Sequence, residues 1–121
     1  MRDIHRSIQM PIVTRTATIA NGASLSDAIQ VDGSAVVGVV TPAAWTAANL
    51  TIQASADDTT YNNVYDEYGT EKTIVASTDR YIPLNPADFL GANSIKVRSG
   101  TSGTPVNQAA ARSVIVVLYV P

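Results

Sequence analysis

Cysteine is absent from the 121 residues, and charge is scarce. Without cysteine there is no disulfide framework, no thiol nucleophile and no cysteine metal site, so stability has to come from a core or from partner subunits. Histidine occurs once, at His5, with no organised nucleophile or ligand set around it in the sequence. That excludes a histidine-based triad or metal centre from the expectation for a single copy. Charged residues make up 15% and the net charge is −2, whereas a typical domain carries roughly 25% Asp, Glu, Lys and Arg. A nucleic-acid binder needs a basic face, and this chain has no material for one. No apolar run approaches the roughly 18 residues of a membrane-spanning helix, and the first residues lack the charged–apolar–small layout of an export signal. The expectation is therefore no nucleic acid and no membrane partner.

What is present suits pleated sheets. Hydrophobic residues reach 45%, enough for one core, and Val, Thr, Ala and Ser fill the space left by charge. Residues 1–12 show no helix cap and end against Pro11, which predicts an N-terminal extended arm with Ile4, Arg6, Ile8 and Met10 as anchors on a neighbouring subunit. Residues 13–121 read as one domain. Strands are expected at 13–20, 25–31, 35–41, 49–55, 80–84, 94–98 and 112–120, with a hairpin of 62–66 and 71–76 about Tyr68-Gly69. Turn dipeptides separate them, among them Asn21-Gly22 and Asp32-Gly33. The stretch 35–41 is nearly all apolar, which predicts a central strand buried on both faces. Asn85-Pro86 opens a single helical turn, with Asn85 as its cap. The whole predicts an all-β chain: an antiparallel β-sandwich or jelly roll of about eight or nine short strands, with one short helical turn. The last strand pairs best with an early one.

Few residues carry chemistry. Asp57-Asp58 falls in a turn, where Asp bonds the local backbone, and a Ca²⁺ ion is the sharper alternative. Asp66-Glu67 are adjacent acids that point to opposite faces of a strand and do not form an acid/base pair. Gly100 and Gly103 lack the Lys-Ser/Thr of a phosphate loop, so 99–105 reads as a surface loop. Thr101, Thr104 and Asn107 offer adaptable hydrogen bonds there. Tyr61, Tyr65 and Tyr68 cluster around a turn and could form a sugar-stacking platform, although packing is the simpler reading. Trp45 reads as a core plug. No base lies beside a nucleophile, so no enzyme and no cofactor are expected.

The segment Trp45-Thr-Ala-Ala-Asn-Leu-Thr-Ile-Gln-Ala-Ser-Ala-Asp57 with Asn63-Val-Tyr-Asp66, and the segment Arg80 to Gly91 running into Ser94-Ile-Lys-Val-Arg-Ser-Gly100, resemble small virion structural proteins of tailed bacteriophages, of the head decoration or cement kind. The cadence is also similar to discoidin-like jelly rolls. The likeness covers residues 35–115 and rests on packing and turn residues. It implies a protein made in the host cytoplasm that binds the assembled capsid, clamping the major capsid protein and copies of itself, with a trimer as the favoured state. The implied alternatives are a carbohydrate-binding module of a fibre or spike, and a tail or neck component.

Overall fold

The computed structural model describes residues 11–121, and the arm anchors Ile4, Arg6, Ile8 and Met10, with His5, lie outside them. Among the described residues nine strands form two antiparallel sheets. Sheet A has the order β1 (Ile12–Ile19), β9 (Arg112–Tyr119), β3 (Ala35–Val40) and β7 (Tyr81–Pro83). Sheet B has the order β2 (Ile29–Gln30), β8 (Ser94–Ser99), β4 (Leu50–Ser55), and then β5 (Asn62–Asn63) and β6 (Thr73–Ile74) along one edge of β4. The final strand does pair with early ones, with β1 on one side and β3 on the other. Its end meets the start of the chain's described part, where Val120 N–H donates to Pro11 O at 2.6 Å.

The core lies between the sheets. Alternate residues enter it: Ala17 and Ile19 from β1, Val36 and Val39 from β3, Val114, Val116 and Leu118 from β9, against Leu50 and Ile52 of β4 and Ile95 and Val97 of β8. A register shift between Val36 and Gly38 makes a bulge in β3, which is why its two inward valines are three residues apart. Trp45 is half-buried against this core and donates its indole N–H to Ala48 O at 3.0 Å.

Two local expectations change. The stretch 25–31 forms only a two-residue strand, plus a bridge from Leu25 to Arg98. Its backbone goes elsewhere: Ser26 N–H bonds Val97 O, and Asp27 N–H bonds Thr18 O. The 62–76 hairpin closes by a single bridge, Tyr65 to Glu71, and both its arms extend sheet B by pairing with β4. The helical turn is a 3-10 turn at Pro86–Phe89, where Asn85 Oδ1 accepts from Ala87 N–H as the cap requires.

Candidate interaction surface

The two sheets carry opposite kinds of outer face. On sheet A, the register aligns Ile12 with Tyr119 and Ala35, Thr14 with Val117, Gly38 and Pro83, Thr16 with Ile115, Val40 and Tyr81, and Thr18 with Ser113. These rows alternate with the core residues, so they make up the outer face. None is Asp, Glu, Lys or Arg. Tyr81 (58% exposed), Ile12 (45%) and Tyr119 (44%) lie open on it, while Val117 is packed down to 6% by its neighbours. Tyr81 lies across Gly38, whose missing Cβ would stand 2.9 Å from the Tyr81 hydroxyl.

This corrects the expectation for 35–41. The strand is interior to its sheet and its inner face is sealed at Val36 and Val39, whereas on the outer side Tyr81 covers Gly38 and leaves Ala35, Val37 and Val40 half-exposed. β9 behaves alike, with Val114, Val116 and Leu118 inward and Ile115, Val117 and Tyr119 outward. Two neighbouring strands thus carry apolar residues on both faces, while the described residues cover one. Apolar faces on both sides belong to strands covered on both sides.

Sheet B instead faces outward with a polar layer. Thr51, Gln53 and Ser55 stand opposite Arg98, Lys96 and Ser94. Tyr61, Asn63 and Tyr65 reach over from the β5 edge: Tyr61 Oη meets Ser94 Oγ at 2.7 Å, Asn63 Oδ1 accepts from Arg98 Nη2 at 2.8 Å, and Tyr65 Oη meets Ser102 Oγ at 3.4 Å. Lys96 Nζ stands 4.4 Å from the centre of the Tyr61 ring, a cation–π contact. Arg98 is buried and pairs with Glu71 at 3.5 Å.

The three tyrosines therefore do different things. Tyr61 is packed under Lys96. Tyr68 is 87% exposed at the hairpin tip. Tyr65, 52% exposed, lines a depression of about 190 Å³ with Asp66, Glu67, Lys72 and Asp88. A Lys72–Asp88 ion pair at 3.3 Å separates that depression from a more apolar groove of about 330 Å³, which runs between β6, β7 and the 3-10 turn.

Thr101, Thr104 and Asn107 are placed at the end of the sandwich opposite to Pro11. Thr101 and Thr104 bond each other's backbone and fold the loop onto itself, while Asn107 is exposed. The strand β1, eight residues or roughly 26 Å long, separates this loop from the point where the arm joins, so arm and loop start from opposite ends. The turn acids are used locally. Asp57 Oδ1 accepts from Thr59 and Thr60 N–H at 2.9 and 2.8 Å, and these bonds hold its carboxyl below the usual range. Asp66 Oδ1 does the same for Thr70 and Tyr68, with the same direction of shift. Asp58 accepts from Asn93 Nδ2 at 2.9 Å.

Sequence reasoning missed Gln108. It is 1% exposed; its Oε1 accepts from Thr46 N–H and its Nε2 donates to Thr46 O and Ser99 Oγ. It ties the 41–49 crossing to sheet B, and nothing in its neighbourhood of alanines announces this. Compared with known proteins, the chain matches no family model, no curated protein and no solved structure.

Proposed function

We propose that this chain is a non-enzymatic structural subunit of a larger assembly, a virion component that binds the assembled capsid and reinforces contacts between coat subunits. The observation that carries the assembly reading is the uncharged outer face of sheet A, built on two strands that are apolar on both sides. Charge is depleted at the centres of interfaces and aromatic residues are enriched there, as Tyr81 and Tyr119 are here. The virion setting rests on the resemblance of residues 35–115 to phage decoration proteins. Repeated on a symmetric shell, a modest contact per copy gives firm retention.

The test is retention on purified particles. Val40→Lys and Ile115→Lys each place a charge on the face without touching the core. Both variants are expected to fold and to be lost from particles that retain the natural chain. Full retention of both, or absence of the natural chain from particles, overturns the reading.

A second reading is favoured by one observation: Tyr65 beside three carboxylates in a polar depression is an arrangement that suits a sugar, with a ring to stack and acceptors for hydroxyls. Under it the chain is the carbohydrate-binding module of a fibre or spike. Glycan-array binding that Tyr65→Ala abolishes would establish it, and no binding to any glycan removes it.

A further inference from the structure

Sheet A has two edges, and they are not equivalent. β7 is three residues long and carries Pro83, which has no N–H to offer, so this edge is closed to a further strand. β1 is eight residues long. At its C-terminal end the outer backbone is used: Asp27 N–H donates to Thr18 O, and Thr18 N–H donates to Asp27 Oδ1. The two-residue period of a strand puts the N–H and C=O groups of Ile12, Thr14 and Thr16 on the same outward side. Among the described residues no backbone group pairs with them. The one hydrogen bond to these groups from a described residue comes from Arg15 Nη1, which donates to Thr14 O at 3.2 Å along the exposed edge.

The geometry points to self-pairing of this edge: β1 of one copy adds antiparallel to β1 of a second copy about a two-fold axis through Thr14. This deepens, and rests on, the reading of the chain as an assembly subunit. In that register Thr14 faces Thr14 of the second copy and Ile12 faces Thr16, so every outward group of the open window gains a partner. Slipping the pairing two residues one way sets Arg15 opposite Arg15, two like charges, and slipping it the other way leaves Thr16 outside the window. Charge and hydrogen bonding thus select one register. Because β7 is closed, the contact is isologous and stops at two copies instead of growing into a fibre. The product is one continuous sheet whose outer face, uncharged in each copy, becomes a single uncharged face. The trimer that the resemblance implies would need a different surface.

Arg15 acts as the guard of this edge, since pairing has to lift its guanidinium off Thr14 O. The two neighbouring residues therefore act in opposite directions. Thr14→Pro removes an outward N–H that no described residue accepts from, a place where an edge strand tolerates proline. Arg15→Ala frees the carbonyl.

Sedimentation equilibrium over a concentration series tests this. The natural chain is expected to rise with concentration from 12.7 kDa toward twice that mass. Thr14→Pro stays at the single mass throughout, and Arg15→Ala shifts the midpoint to several-fold lower concentration. As the chain has no cysteine, Thr14→Cys provides a second readout independent of the proline variant's folding. With diamide it is expected to form a covalent dimer, while Thr18→Cys, placed far from its counterpart in this register, does not. A natural chain that stays monomeric, a dimer that survives in folded Thr14→Pro, or equal cross-linking of the two cysteine variants overturns the proposal. Val40→Lys leaves the edge intact, so loss of particle retention with an unchanged dimer separates failure of the edge from failure of the face.

Discussion

Arg98 on β8 and Glu71 in the hairpin meet at 3.5 Å, with side chains 9% and 13% exposed. Arg98 Nη1 also donates to Thr51 Oγ1 at 3.3 Å, and Glu71 accepts from Ser102 N–H at 3.2 Å. The pair joins the 62–76 hairpin, the 99–106 loop and the outer face of sheet B. Removing one partner of a buried pair strands the other charge. Glu71→Ala is expected to destabilise the fold by about 3 kcal/mol, and Glu71→Gln by less because the amide still accepts hydrogen bonds. Urea denaturation of the three proteins checks the order.

Two glycines separate backbone need from side-chain space. Gly100 has φ +90°, and a Cβ there would lie 2.5 Å from Thr104 O. Gly100→Ala is expected to cost about 2 kcal/mol or more, because both the conformation and the backbone contact resist it. At Gly38 the obstacle is only the far end of Tyr81. Gly38→Ala should leave stability nearly unchanged but turn the Tyr81 ring off the strand, seen as a changed ring environment by NMR and as weaker particle retention.

Gln108 offers a buried amide to partners on two segments. Gln108→Leu leaves Thr46 N–H and O without their bonds, and Arg112 Nε, which donates to Gln108 Oε1 at 3.1 Å, loses its acceptor as well. The expected cost is about 2–4 kcal/mol in chemical denaturation, and hydrogen exchange at Thr46 should accelerate most.

Acid should loosen the turns. Asp57 and Asp66 both have carboxyls held below the usual value of 3.8 by backbone N–H donors, first Thr60 and first Thr70. A depressed folded-state value means the stabilisation is fully present above 3.8 and fades as the pH falls below it through the folded-state values. Stability measured from pH 5 to pH 2 is expected to fall. Asp57→Asn and Asp66→Asn should each flatten that fall, with the turn amides of residues 59 and 60 or 68 and 70 exchanging faster.

Much of the fold was legible because the signals are local. Asn85-Pro86 marks the 3-10 turn, Asp57 its own turn, and the alternation of Leu50, Ile52 and Ala54 the core side of β4. The failures share a cause. Residues 25–31 have strand composition, yet their backbone bonds are taken by β1 and β8 at irregular spacing. Nor does a low charge content say which long face stays neutral: the outer face of sheet A does, whereas Lys96 and Arg98 stand on the outer face of sheet B.

By itself the sequence determined that this chain is a sheet protein with one core, short turns and too little charge to coat every surface. Residue type and a period of two suffice for that, since both act over a few neighbouring residues. Only the tertiary structure decided which apolar face is covered. Periodicity records that β3 and β9 are apolar on both sides, but coverage depends on what lies across the sheet, and here sheet B covers one side alone. The same holds for the edges: the order β1-β9-β3-β7 puts a guarded, eight-residue edge on one side and a proline-closed one on the other. Strand order is set by contacts between distant segments, and no local pattern encodes it.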